Sequence, residues 1–225
     1  MQISFEVEPL TFDLRPVAPL TKPPSISREK AAWAGGSLLV GVDEVGRGPL
    51  AGPVVAAAVV FPAGHRRIPG VRDSKVLPAA RRADLAIRIR ASAQYLVVAA
   101  ACVREIDRLN IRGATILAMR RALQRLPTGS FAILVDGLPL PELGLAHDAL
   151  VDGDALCYSV ASAGIVAKTV RDELMCRLAR RHPHFGWETN AGYATEFHRE
   201  ALDRVGPCVH HRRSFEPVAQ LTMRF

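Results

Sequence analysis

Four acidic residues follow apolar, strand-like runs: Asp43 and Glu44 after "LLVGV", Asp136 after "FAILV", and Asp154 shortly after "ALV". An acid beside buried apolar strand is costly unless it is paired or holds a cation. Clustered carboxylates repel one another and raise each other's pKa, and a hard divalent cation reverses that logic. Mg²⁺ and Mn²⁺ take oxygen ligands from a few carboxylates, water and phosphate. Two such ions about 3.5–4 Å apart can activate a water and stabilise the leaving oxygen in phosphodiester hydrolysis. Metal-dependent chemistry at phosphorus is therefore what these residues could do together. Taken singly, each acid reads as well as a turn residue or a helix cap, and spacing does not bring the four together.

Adjacent residues of a strand point to opposite faces, so Asp43 and Glu44 do not converge in an ideal one. Gly46 and Gly48 are expected to end the strand close to the two acids and relax that alternation. The loop "GRGPLAG" (46–52) is neither G-x-x-x-x-G-K-[ST] nor G-x-G-x-x-G, since its third glycine falls one residue late and Pro49 has no N–H. A nucleotide-cofactor cradle is thereby excluded. An exposed tight turn remains, one that lets a ligand approach its backbone closely.

The elements that must position these residues alternate between strand and helix. A strand near 38–43 and another near 53–61, joined by the glycine turn, predict an antiparallel hairpin. Helical spacing covers 77–92 and 111–126, with strands at 94–103 and 131–137. The run 149–155 repeats the design of an apolar stretch followed by acids around a glycine. One long helix is expected over 156–181 and a capped one from Thr195. This pattern predicts an α/β core with its site where strands end in loops. Residues 1–37, rich in proline, read as a flexible leader, 38–182 as the core, and 183–225 as a smaller helical, basic element.

The chain has 225 residues, 49% of them hydrophobic and 23% charged, enough for one sizeable core. No apolar run approaches a membrane span, and the N-terminus has no secretory pattern, so the cytoplasm is the expected compartment. Cys102, Cys157, Cys176 and Cys208 are scattered without a C-x-x-C pair and read as reduced, mostly buried thiols. A net charge of +7 suits a polyanionic partner such as nucleic acid. Lysines are scarce beside arginines, which draws notice to Lys75 and Lys168.

"GVDEVGRGPLAGPVV" closely resembles the first motif of the bacterial type 2 ribonucleases H, the ribonuclease HII family. The likeness continues through "DSKVL", "VDG", "GDA", "AKTVRDELM", "GYATEFH" and "HRRSF", in family order across residues 40–216. This resemblance implies a ribonuclease H-like mixed β-sheet flanked by helices, with a small helical C-terminal part. It implies endonucleolytic cleavage of RNA in RNA–DNA hybrids and incision 5′ of a ribonucleotide embedded in duplex DNA, leaving 5′-phosphate and 3′-hydroxyl ends. Asp43, Glu44, Asp136 and Asp154 fall on the family's metal-binding carboxylates, with Mg²⁺ or Mn²⁺ as cofactor. Gly46, Arg47 and Gly48 match the loop whose backbone reads the ribose 2′-hydroxyl. Tyr193 matches the tyrosine that packs on the following sugar. Lys75 and Lys168 match family lysines expected at the substrate. Lys168 also lies one helical turn before Asp172, so an ion pair that supports the site is an equal reading. His211, Arg212 and Arg213 are expected at phosphate, with a solvated basic edge as the alternative. His198 and His210 read as structural or phosphate-facing.

Leu138, Asp152, Gly164, Asn190 and Ala191 depart from residues common in that family and are expected to subtract polar groups near the site. The partners implied are RNA–DNA hybrid and ribonucleotide-containing duplex DNA, acted on by a monomer without membrane attachment. Two rivals stay open at this stage: another nuclease or strand-transfer enzyme on the same fold, and a non-catalytic hybrid-binding protein.

Overall fold

A computed structural model describes residues 22–221. It shows the expected mixed sheet flanked by helices. The sheet has five strands in the order β3-β2-β1-β4-β5. Here β1 is Leu38–Val45, β2 Val54–Val60, β3 Tyr95–Ala101, β4 Phe131–Asp136 and β5 Asp148–Leu150. The hairpin β1–β2 and the pair β2–β3 are antiparallel, whereas β4 lies parallel to β1 and to β5.

Helix α1 is Ser27–Ala34, α2 Ala79–Ser92, α3 Val103–Leu123, α4 Gly153–Leu156 and α5 Tyr158–Ala179; α6 Trp187–Asn190, α7 Glu196–Val205 and α8 Val218–Leu221 follow. Both faces of the central strands are covered, which is why β2 reads "VVAAAVV" without polar alternation. Val54, Ala56, Ala58 and Val60 pack with Ile106, Ala118 and Met119 of α3. Val55, Ala57 and Val59 pack on the other side with Leu85 and Ile89 of α2 and Ala161, Ile165 and Val166 of α5.

Helix α5 comes unusually close to β1. A Cβ at Gly41 would lie 2.2 Å from the Ser159 carbonyl carbon and 2.4 Å from the Val160 nitrogen. The small residues of "YSVASAG" at the start of α5 complete the fit. This contact fixes the end of the sheet on which the acids sit.

Three boundaries differ from expectation. Strand β1 ends at Val45, just past the acids rather than before them: Asp43 pairs with Ala57, Glu44 with Ala56 and Val45 with Val55, so strict alternation holds through both. Helix α3 starts at Val103 rather than 111, because a kink at Asn110 (φ 59°) breaks the periodicity that its first half would otherwise share. Part of the stretch expected as a leader forms α1 instead. Residues 1–21 lie outside the described residues, but α1 belongs to the body, its buried Glu29 accepting the Ser159 N–H at 2.7 Å and the Cys157 thiol at 3.3 Å.

Residues after 183 are not a detached appendage. Phe185, Trp187, Ala201, Leu202, Val218 and Leu221 share a buried cluster with Leu50 and Ala51 of the glycine loop and with Met175 of α5. The Thr195 hydroxyl accepts the His198 N–H, the expected cap of α7.

Candidate active site

Asp43 lies on the α5 face of β1, in parity with Gly41, and is only 6% exposed. Asp136 ends β4, and Gly137 after it (φ 91°) turns the chain out of the sheet. After β5, Asp152 takes a left-handed conformation (φ 55°) that aspartate tolerates better than most residues. The turn swings α4 back so that the Gly153 N–H donates to Asp136 Oδ1 at 2.8 Å and Asp154 enters the site. Carboxylate oxygens of Asp43, Asp136 and Asp154 all lie within 4.8 Å of one another.

Glu44 is not in that trio. Alternation sends it to the α3 face, where it lines a 270 Å³ cavity with Arg47, Arg112, Thr115, Met119, Asp136 and Leu138. Arg47 Nη1 donates to Glu44 Oε1 at 3.3 Å. Asp136 therefore belongs to both groupings, with Asp43 and Asp154 on one side and with Glu44 on the other.

The electrostatics are those of a site short of positive charge. Burial, then Glu44, Asp136 and Asp154, hold the Asp43 carboxyl well above its ordinary range. Burial also raises Asp136, with Asp154 adding to it, and raises Glu44 against the opposing pull of Arg47. Three close carboxylate oxygen donors, with the Asp43 and Asp136 carboxyls raised, fit a hard divalent cation, and nitrogen or sulfur donors are absent from the trio.

A fifth acid was missed from sequence. Asp73 neighbours Asp154, and its carboxyl is raised by burial first and by Asp154 in part. Its signal was its place in "DSKVL". Lys75 Nζ donates to Asp154 Oδ2 at 3.1 Å. Burial works against the Lys75 charge, but Asp154 outweighs it and pushes the ammonium up to about 12.

The expected substrate contacts divide. Lys168 Nζ is bound to Asp172 at 2.6 Å, and Arg82 Nη2 reaches the same carboxylate at 2.9 Å. Arg82 also donates to the Leu77 and Ser74 carbonyls, so this network holds the turn that carries Lys75. Arg212 is fully buried, its guanidinium donating to the carbonyls of Gly46, Arg47 and Gly52, so it cannot meet phosphate. His211 is buried as well. Arg213 alone of that trio is exposed. Tyr193, 45% exposed, has its ring beside Gly48, where an added Cβ would stand 3.7 Å from Tyr193 Cε1.

The departures divide similarly. A Cβ at Gly164 would stand 2.3 Å from Asp43 Oδ2, so glycine leaves the room which that carboxylate occupies. Asn190 faces inward, accepting the Gly192 N–H and donating to the Phe185 carbonyl. Leu138 is 68% exposed and puts an apolar side chain at the cavity beside Asp136.

His198 and His211 form a buried neutral pair beneath Tyr193. His198 Nδ1–H donates to the Tyr193 carbonyl at 2.8 Å, and its Nε2 accepts from Trp187 Nε1 and from His211 Nε2–H. His211 Nδ1 accepts the Cys208 N–H. Burial first, then His198, pushes His211 down to about 3, and burial lowers His198. The unfolded chain binds the proton first, so this stability is complete above about 6.5 and is lost as pH falls toward the folded value. Melting from pH 7 to 5 should show a loss of about 2 kcal/mol for His211 that His211→Asn largely removes. An unchanged pH slope in the variant would contradict the assignment.

Comparison with known proteins agrees with this geometry. The Ribonuclease HII family model matches residues 40–218. A Ribonuclease HII of Cereibacter sphaeroides is 57% identical over 200 residues, covering 87% of this chain and 92% of that protein. The crystal structure of the ribonuclease H2 from Pyrococcus horikoshii superposes with a TM-score of 0.72 at 26% identity, covering 83% of this chain and 98% of that one. The RNase HII of Archaeoglobus fulgidus, solved as a complex with PCNA, gives 0.68 at 28% identity, covering 80% and 95%. With the acids gathered at the ends of β1, β4 and the turn after β5, and with the family match running from β1 to the start of α8, the chain belongs to the ribonuclease HII family and is a ribonuclease H-type endonuclease.

Proposed function

We propose that the enzyme hydrolyses the RNA strand of RNA–DNA hybrids and incises 5′ of ribonucleotides embedded in duplex DNA, leaving 5′-phosphate and 3′-hydroxyl ends. The observation that carries this reading is the trio Asp43, Asp136 and Asp154, with Asp43 on a strand that runs directly into the 46–48 loop and Tyr193 against Gly48. Acids alone would suit any metal nuclease, but a DNA-only enzyme has no need of a loop and aromatic ring placed to sense a sugar.

Asp43, Asp136 and Asp154, with Glu44 across the strand, are the residues that would hold Mg²⁺ or Mn²⁺. When bound, the cation neutralises the carboxylates, polarises a water for attack on phosphorus and stabilises the leaving oxygen. Lys75 keeps its charge at any working pH and is free to follow a phosphate, its side chain being 75% exposed. The Arg47 and Gly48 amides offer donors to a 2′-hydroxyl. Tyr193 offers a face to the next sugar, and Arg213 offers a charge to the backbone phosphate. The element after residue 183 thus acts as a substrate-contacting part built into the same body.

The test is a labelled DNA duplex with one ribonucleotide, incubated with Mg²⁺, Mn²⁺ or chelator. One cut 5′ to the ribonucleotide, lost on chelation, is expected. Tyr193→Ala should raise KM by about tenfold, the scale of one lost stacking contact. Cleavage of the all-deoxy duplex at a similar rate, or none of either, would overturn the reading.

A further inference from the structure

We infer that Arg171 and Arg212 are positioning residues for ribose recognition: buried behind the 46–53 loop, their guanidinium groups hold its carbonyls inward and leave the Arg47 and Gly48 amides facing the substrate. This inference rests on the function proposed above.

Both side chains are fully buried, and neither meets a carboxylate among the described residues. A buried cation without a counter-ion is strongly unfavourable unless its donors are all well used. Here they are used on backbone. Arg171 donates to the carbonyls of Pro53, Ala191 and Ala51, each at 3.0 Å. Arg212 donates to Gly52 at 3.0 and 2.9 Å, to Arg47 at 2.7 Å and to Gly46 at 2.5 Å. Five of these six carbonyls belong to one short loop. A guanidinium is a rigid planar fork with five donors, able to gather several carbonyls at once, whereas a lysine ammonium has three donors on a flexible stem.

The first glycine of the loop answers to the arginine. A Cβ on Gly46 would stand 2.1 Å from Arg171 Nε, and its φ of 89° already disfavours other residues. The same guanidinium reaches Ala191, two residues before Tyr193, while the Leu50 N–H donates to the Gly192 carbonyl at 2.8 Å. Loop and tyrosine are thereby fixed to one another. The Gly52 amide is taken by the His210 carbonyl, and the Arg212 amide by Leu50. The amides of Arg47 and Gly48 meet no acceptor among the described residues. With carbonyls drawn to the interior, the exposed side of the loop presents N–H groups, backed by two positive charges that favour an approaching phosphate.

Binding is measured in an Asp136→Asn background with Mg²⁺, comparing a duplex carrying one ribonucleotide with its all-deoxy counterpart. The parent should prefer the ribonucleotide duplex. Arg171→Lys and Arg212→Lys, which keep the charge but lose the fork, should each cut that preference by about tenfold, the scale of one hydrogen bond to a misplaced donor. In the otherwise unmodified enzyme the same substitutions should raise KM more than they lower kcat and leave Mn²⁺ affinity by calorimetry unchanged, since the loop supplies no metal ligand. A merely structural role would lower the melting temperature and leave the preference intact in the folded fraction, and that result overturns the inference. Amide hydrogen exchange on the unmodified protein decides the matter even if the lysine variants do not fold. Arg47 and Gly48 should exchange fast while Leu50, Gly52 and Arg212 are protected, and protection of the first two would overturn it. Absence of any ribonucleotide preference in the parent would instead remove the functional reading, and this inference with it.

Discussion

Asp43→Asn should abolish cleavage, by at least about 10³-fold, and yet stabilise the protein in the absence of metal. The two effects share one cause. Asp43 is 6% exposed and stands among Glu44, Asp136 and Asp154, so its charge opposes folding unless a cation is present. Because its folded pKa is raised, the unfolded chain ionises first, and the penalty is complete above the folded value and vanishes below the ordinary one. Asparagine removes the charge and keeps the Oδ1 that accepts the Glu44 N–H at 2.7 Å. In chelator the variant should therefore melt at a higher temperature than the unsubstituted protein. Mn²⁺ should then raise the melting temperature of the unsubstituted protein far more than that of the variant. Equal responses to Mn²⁺ would show that the metal binds elsewhere.

Gly41→Ala should be the most damaging of the single-methyl substitutions. Its Cβ would meet the backbone of Ser159 and Val160 at 2.2–2.4 Å, and a helix backbone packed along two strands cannot turn aside as a side chain can. Overpacking of this kind costs about 3 kcal/mol or more. For a chain of this length that is a fall of about 6–12 °C in Tm. The functional consequence follows from what α5 holds: Asp154 lies in α4, four residues before its start, and Gly164 makes room for Asp43. Mn²⁺ affinity should fall along with stability. Gly35→Ala, where a Cβ meets nothing closer than 3.5 Å, is the control and should stay within about 0.5 kcal/mol. A Gly41→Ala protein as stable as that control would refute the close packing of β1 and α5.

The acids at the ends of apolar runs were legible because burial without compensation is improbable; Lys75 stood out because lysines are scarce beside arginines, and the loop through its glycine spacing. The arginines were misread for a physical reason. Sequence gives a charge but not its surroundings, so "HRRSF" looked like a basic edge while Arg212 points into the protein and Arg213 away from it. Lys168 was legible as an ion pair from its spacing to Asp172, but the part of Arg82 in that pair was not, since it comes from 90 residues away.

Local pattern determined the hairpin, the long helix α5, the cap at Thr195 and the kinds of residue that would meet a cation, because those depend on periodicity and on the chemistry of neighbours in the chain. Tertiary structure decided which acids meet. Alternation along β1 separates Asp43 from Glu44, though they adjoin in sequence. The parallel pairing of β1 with β4, and the turn after β5 with its Gly153 bond to Asp136, bring Asp43, Asp136 and Asp154 together across more than a hundred residues, while α5 packs closely on β1 at Gly41.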